Sequence, residues 1–464
     1  MSIVSAIMVP HPPMIIPEVG KGSEAMIQET IDAYEKASQF LAATKPDTVI
    51  VASPHNVLYT DYFNISDGEH ATGSMEDFNA DDVRIEVGYD TEMIAEFCRL
   101  ADKDDVDAGL LGQRGEYREL DHATLIPLYF LTKYYTDFKV LRIGLSGLPY
   151  SEHYRVGMLL KKAAEKTGRR AAFIGSGDLS HKLSPFGPYG FAEEGPYYDE
   201  RIMDVMGRAA FGELLDFDPV FCDKAAECGH RAFIMMAGAL DRTSVTPERL
   251  SYQDVTGVGY GVCTYTVNGP DETRNLLDQW NEKKAAELSE KKKTEDSYVK
   301  LARKTIETYV KTGQKISVPE DLPAEMTGRK AGVFVSLHKE GQLRGCIGTI
   351  KGLRDSVANE IIENAISSST RDTRFRPVRT DELDKLEYSV DVLGNAEPVR
   401  SLKELDVKKY GVIVTQGPKS GLLLPNLDGV DTPVEQIKIA KRKAGIPEKD
   451  NNVKVYRFEV VRHY

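Results

Sequence analysis

Residues 171–181 read Ala171-Ala172-Phe173-Ile174-Gly175-Ser176-Gly177-Asp178-Leu179-Ser180-His181. Ala171 to Ile174 is an apolar run of the kind that forms a buried strand, and Lys182-Leu183-Ser184-Pro185 beyond it reads as a turn. Gly175 and Gly177 let the backbone bend sharply off the strand end, and Ser176 and Ser180 leave room for another group to approach. A histidine delivered in such a loop, too open to be core, is placed for acid–base work. Taken alone, the stretch serves equally well as a capped turn with a surface histidine.

Upstream the same arrangement recurs twice. Ser2 to Val9 is an apolar strand stopped by Pro10-His11-Pro12-Pro13, whose prolines forbid both helix and central strand and fix His11 in a rigid loop. Ile27, Ile31, Tyr34 and Leu41 then follow at helical spacing after Ser23, a suitable N-cap. Thr48 to Ala52 is a β-branched run that leads directly into Ser53-Pro54-His55-Asn56. Strand, helix, strand, each strand ending in a histidine loop, is an α/β pattern. Downstream, strands are expected at Asp82–Val87, Phe138–Leu145 and Tyr260–Val267. Helices are expected at Thr91–Leu100, from His122 through Leu131 (started or kinked by Pro127), at Glu152–Thr167, and as one longer run from about Ala225 to Leu240.

A chain of 464 residues is too long for one ordinary domain. The stretch from Pro270 to Ser297 changes character: Lys/Glu-rich and helix-favouring, with the sole Trp280, it reads as a solvated connecting helix. The chain is therefore expected to divide into a domain at 1–268, a polar linker at 269–295 and a second globular segment at 296–464. Hydrophobic residues at 41% supply an ample core, while a net charge of −13 argues against a nucleic-acid surface. No apolar run approaches the roughly 20 residues of a membrane helix. The first residues lack the basic and small-residue pattern of a signal peptide. Five cysteines without a CxxC pair suit reduced thiols, so a cytoplasmic location is expected.

His11, His55 and His181 each lie just past a strand, and in open α/β sheets the carboxyl ends of strands form the ligand crevice, so the three should converge there. His122, at a helix start, can join them. Glu227, in Ala225-Ala226-Glu227-Cys228-Gly229-His230, stands at the mouth of an apolar helix, where an unpaired carboxylate costs several kcal/mol unless it binds a cation. Two histidines and a carboxylate with open positions are the facial triad of non-haem iron(II) sites, with the remaining histidine free to act as a base.

The set Pro10-His11-Pro12-Pro13, Ser53-Pro54-His55, Asp121-His122-Ala123-Thr124 and Ser176 to His181, in that order, resembles the class III extradiol dioxygenases of the LigB type over residues 1 to about 268. The resemblance implies an α/β domain built on a central mixed sheet flanked by helices. It further implies an iron(II) ion, Fe(2+), on His11, His55 and Glu227, with catechol-type ring cleavage by O2. His181 would take a proton from a substrate hydroxyl, and His122 would hydrogen-bond substrate or the oxygen intermediate. The Cys228-Gly229 pair resembles instead the related Memo family, in which a cysteine lies at the metal site. The third ligand is thus Glu227 or Cys228, and with Cys228 a softer metal or a redox thiol replaces ring cleavage.

In the second segment, Leu343-Arg344-Gly345-Cys346-Ile347-Gly348-Thr349-Ile350, Ser369 to Val378 and Leu422-Leu423-Leu424-Pro425 resemble the AMMECR-type domain, a smaller α+β unit. Arg344 and Arg371 are candidates to bind an anion, and Cys346 is either functional or a small buried hydrophobe. His70, His153 and His463 read as surface histidines, and His230 as solvent-facing or supporting the metal site. The expected partners are a small catechol-type aromatic, O2 and a radical-SAM protein, without nucleic acid or membrane; the sequence leaves a homo-oligomer open. The alternatives to ring cleavage are a Memo-like metal or redox module and a non-enzymatic scaffold.

Overall fold

The apolar runs at 3–9, 48–53 and 171–176 lie side by side as β1 (Ile3–Val9), β2 (Thr48–Ser53) and β6 (Ala171–Ser176), with every residue of β2 and β6 buried. Strands covered on both faces need no polar alternation, which is why they read as continuous apolar runs. The computed structural model describes residues 2–111, 119–427 and 429–464. Its chain divides into two compact units, Met1–Glu282 and Lys283–Tyr464.

In the first unit, α1 (Gln28–Ala43) follows β1, and β3 (His70–Met75) and β4 (Ala80–Gly88) form a separate antiparallel pair. After them come α2 (Thr91–Lys103), α3 (His122–Thr132), β5 (Lys139–Gly144) and α4 (Tyr150–Lys166). Beyond β6 lie α5 (Glu194–Gly207), α6 (Pro219–Ala225), α7 (His230–Ala239), β7 (Thr243–Gln253) and β8 (Tyr260–Pro270). The six-stranded sheet runs β5-β2-β6-β1-β8-β7. The first four strands are parallel, and β8 and β7 join antiparallel, so the sheet is mixed. Helix α1 buries Ala33, Tyr34, Ala37 and Leu41 at the spacing of one helical face.

Helices α4 and α7 approach backbone to backbone. A Cβ at Gly157 would lie 2.0 Å from the Met235 carbonyl oxygen, and one at Gly238 would lie 2.0 Å from that of Tyr154. Glycine at both positions is what allows the contact, and it aligns the first turns of the two helices at the carboxyl edge of the sheet.

Two sequence expectations change, and one strand is added. The long helix expected from Ala225 to Leu240 is broken into α6 and α7 by a turn in which Ala226 adopts a left-handed conformation (φ 55°), and Cys228 sits in that turn. Trp280, read as part of a solvated helix, is 7% exposed, and its indole N–H donates to Asp216 Oδ1 at 3.1 Å; α8 (Leu276–Thr294) buries its first turns and exposes the rest. β7 escaped notice because it is an edge strand carrying Pro247, Glu248 and Arg249.

The second unit begins with α9 (Ser297–Thr312). An antiparallel sheet of order β10-β9-β11-β15 is built from β9 (Val333–Lys339), β10 (Gln342–Gly348), β11 (Leu386–Leu393) and β15 (Val460–His463), and α10 (Val357–Thr370) packs on it. A second sheet joins β12 (Gly411–Gln416), β13 (Lys419–Leu423) and β14 (Lys454–Phe458) to the short strand Glu397–Pro398 and carries α11 (Pro433–Lys443). The smaller unit is therefore α+β. Among the described residues no helix is long and apolar enough to cross a membrane.

Candidate metal centre

His11, His55 and Cys228 come together at the carboxyl edge of the mixed sheet, with one donor atom from each lying within 4.8 Å of the others. The ring orientation of His11 follows from its hydrogen bonds. Ser176 Oγ donates its single proton to the Ala123 carbonyl at 2.6 Å, so at 3.0 Å from His11 Nδ1 it accepts. Nδ1 is then the protonated nitrogen and Nε2 carries the lone pair, the arrangement that a metal-ligating imidazole requires. His55 Nε2 stands 3.1 Å from His11 Nε2, and Cys228 Sγ stands 3.6 Å from the same atom.

These separations are those of two nitrogens and one sulfur sharing one ion with bonds of about 2.0–2.3 Å. Without a cation, the His55 Nε2–H donates to the His11 Nε2 lone pair at that distance; a metal would take the place of that proton. The residues present fit a metal on two imidazoles and a thiolate. Among the described residues, no carboxylate joins these three within the same reach.

Glu227 accounts for that difference. Its Oε2 accepts the His230 backbone N–H at 2.6 Å, satisfying an amide of the first turn of α7. Burial pushes its carboxyl up to about 7, against the pull of the His230 amide, Arg231 and the Gly229 amide. Between the two candidates for the third donor, the turn at 226–229 brings Cys228 to the histidines and turns Glu227 toward the helix start. The tight turn off β6 hid this in the sequence: Asp178 N–H donates to Cys228 Sγ at 3.3 Å, and the Cys228 and Gly229 amides both donate to the Asp178 carbonyl.

Asp178 ties the site together, since its Oδ1 also accepts the His11 backbone N–H at 2.7 Å and its Oδ2 lies 3.9 Å from His181 Nε2. His181 Nδ1 lies 2.6 Å from the Ala226 carbonyl, which can only accept, so Nδ1 is protonated and Nε2 is left as a base. The His122 ring packs against His55 with centroids 4.3 Å apart and the planes tilted by 30°, and Asp121, the N-cap of α3, accepts from Ser53 Oγ at 2.6 Å. Burial, and then the neighbouring His55, His122 and His181, hold His11 well below its ordinary value. Burial likewise lowers His55 and His181, and burial with His55 takes His122 to about 4. Four neutral imidazoles therefore face one another near neutral pH, a set able to receive a cation.

Gly177 is where the turn after β6 touches the turn that carries Cys228, since a Cβ there would lie 2.0 Å from the Gly229 Cα. Gly177→Ala is expected to cost about 1–3 kcal/mol through overpacking. A urea melt should show the lower midpoint, and an unchanged midpoint would contradict the close approach.

Other residues are placed differently from the sequence reading. His153 is fully buried, accepting the Ser146 N–H at 3.3 Å and donating to the Pro149 carbonyl. His230 is also fully buried and points away from the metal donors, toward the Leu214 carbonyl and the Tyr198 hydroxyl. His70 is exposed, and His463 pairs with Asp296. In the second unit Arg344 is committed to Glu382 through two 2.9 Å bonds and to the Arg376 carbonyl, so it is not free for an anion. Arg371 is exposed. Asp372 accepts the Cys346 N–H at 2.9 Å while Arg374 donates to the Cys346 carbonyl, so the two motifs brace each other. The Cys346 thiol accepts from Ser336 at 3.2 Å.

Comparison with known proteins adds to this geometry. The family described as the catalytic LigB subunit of aromatic ring-opening dioxygenase matches residues 5–263, and the AMMECR1 family matches residues 299–463. A Clostridium acetobutylicum protein is 38% identical over 469 residues, covering 100% of this chain and 99% of that protein. A Thermotoga maritima protein is 54% identical over 170 residues, which is 36% of this chain and 98% of the relative. The crystal structure of an uncharacterised Escherichia coli K12 protein aligns with 56% of this chain and 99% of its own, at 14% identity and a TM-score of 0.36.

Proposed function

Because the chain belongs to the LigB family over residues 5–263 and carries an AMMECR1 domain over residues 299–463, we propose that it is a metal-dependent oxidoreductase acting on a small hydroxylated aromatic. His11, His55 and Cys228 are its metal donors and His181 its proton-transfer residue. The observation that carries the reading is the meeting of Cys228 Sγ with the two histidines. Iron(II) is the ion that the LigB relationship implies, and the thiolate admits zinc or copper as well. A metal held there acidifies a hydroxyl bound to it and orients a second reactant.

The chain's own residues supply the remaining steps. His181 Nε2 accepts the proton of a substrate hydroxyl, while its Nδ1–H stays anchored to the Ala226 carbonyl. His122, neutral and packed against His55, offers a ring nitrogen to a second polar atom of the substrate. His11 is buried, while His55 is exposed and Cys228 half-buried, so one side of the donor set is open for a substrate to approach.

A second reading is favoured by Cys228 itself. A thiolate in place of the facial-triad carboxylate suits a Memo-like redox module, working with a radical-SAM partner and without ring cleavage. Anaerobic purification, metal analysis and addition of catechols in air separate the two. A yellow ring-opened product supports the oxidoreductase on aromatics. Metal-loaded protein that binds no catechol leaves only the module, and protein that retains no metal under any loading sinks both.

A further inference from the structure

Asp199, on α5, is 1% exposed, and the groups that bear on it are the Ser180 amide, the Tyr252 hydroxyl and the Asp254 carboxylate, none of them a cation. A carboxylate taken out of water without a cation costs several kcal/mol, and burial pushes this one up to about 7. Its Oδ1 accepts the Ser180 backbone N–H at 2.8 Å, and its Oδ2 accepts the hydroxyl of Tyr252, on β7, at 2.9 Å. A Cβ at Gly259 would lie 1.9 Å from Oδ2, so a glycine stands where the carboxylate enters.

Ser180 is fully buried and immediately precedes His181. The Leu179 N–H donates to the Gly259 carbonyl at 2.8 Å, the Gly259 N–H to the Ser180 carbonyl at 2.9 Å, and the His181 N–H to the Ala225 carbonyl at 3.3 Å. Every backbone N–H from Leu179 to His181 is therefore held, and of the three acceptors only Asp199 is a side chain. An apolar residue of similar volume would fill the same space at lower cost, but it would leave the Ser180 amide buried without a partner.

We propose that Asp199, steadied by Tyr252, is a positioning residue for His181: it fixes the Ser180 peptide, and with it the direction from which His181 Nε2 meets a substrate hydroxyl. The proton transfer rests on the function proposed above; the anchoring of the loop does not. Asp199→Asn keeps an oxygen for the Ser180 amide and Asp199→Ala does not, while both remove the charge, so the difference between them reports the hydrogen bond alone.

The test is carbethoxylation of the full-length, metal-quantified protein by diethyl pyrocarbonate, with each histidine followed by peptide mass spectrometry. Exposed His70 is the reference, and fully buried His153 and His230 report general unfolding. Relative to His70, His181 should react several-fold faster in Asp199→Ala than in wild type and at close to the wild-type rate in Asp199→Asn, with His153 and His230 protected in both. In catechol turnover, Asp199→Ala should lower kcat by up to about 10²-fold with KM little changed, the effect of a misplaced reacting group, and Asp199→Asn should restore most of it. A His181 that reacts at the wild-type rate in Asp199→Ala, or equally fast in both variants, overturns the proposal, as does undiminished turnover in Asp199→Ala. Where His153 and His230 become reactive in Asp199→Ala, Tyr252→Phe decides: a selective rise at His181 supports the anchoring, and an unchanged rate overturns it. Selective loosening of His181 in a protein that turns over no catechol keeps the anchoring and overturns the proton-transfer reading alone.

Discussion

Cys228→Ala is expected to purify without stoichiometric metal, whereas Glu227→Gln keeps it. The thiol of Cys228 lies 3.6 Å from His11 Nε2, and nothing else in the turn reaches that position. Loss of a direct donor should exceed the about 10–100-fold loss of affinity that even supporting residues can cause. Glu227 acts one step back, where its carboxyl accepts the His230 amide, and a glutamine oxygen can accept the same bond. Its variant should therefore change helix stability by no more than about 0.5–2 kcal/mol, the range of a capping contact. The two residues also differ with pH. In metal-stripped protein Glu227 is pushed up to about 7 by burial, from an ordinary 4.5, so the folded state holds a proton that the unfolded state releases. Its contribution is fully present below pH 4.5 and is lost as pH rises through 7, and Glu227→Gln should flatten that decline in a series of urea melts. Metal retained by Cys228→Ala and lost from Glu227→Gln would reverse the assignment and restore the carboxylate triad.

The sequence made the strands legible because β1, β2 and β6 are buried on both faces and each ends in a Gly- or Pro-marked turn. The same punctuation placed His11, His55 and His181 at one edge of the sheet. Choosing between Glu227 and Cys228 was beyond it. The choice depends on Ala226 taking a left-handed conformation, which rotates the next two side chains and which an alanine does not advertise. Local periodicity likewise joined α6 to α7, since the apolar spacing continues across the break. His153 and His230 were misread because both are satisfied by main-chain partners brought from elsewhere: Ser146 and Pro149 for one, Leu214 for the other.

The second unit shows the same limit. Arg344 reads as an anion-binding residue in isolation. In the fold, Arg344 is consumed by Glu382, and Asp372 with Arg374 clamps the exposed edge of β10 at Cys346. An edge strand braced by side chains is protected from pairing with another chain, a structural reason for these residue types at this spacing.

His181→Gln is expected to lower turnover of a hydroxylated aromatic by about 10²–10⁴-fold, the usual contribution of a positioned acid–base group, with metal content unchanged. The residue is not among the three clustered donors; its Nδ1–H is held by the Ala226 carbonyl, and its Nε2 is left free to take a proton. Ala226 sits at φ 55°, so the chain carries local strain to present that carbonyl. Because burial lowers His181 below its ordinary 6.5, the base stays neutral and competent at mildly acidic pH. The acid limb of the kcat/KM profile should accordingly lie below pH 6.5, and it should vanish in His181→Gln along with most of the rate. A limb above pH 6.5 would mean that the imidazole is charged in the free site, contrary to its burial. Full turnover in the glutamine variant would move the proton transfer to His122, whose value of about 4 would place the limb nearer that pH.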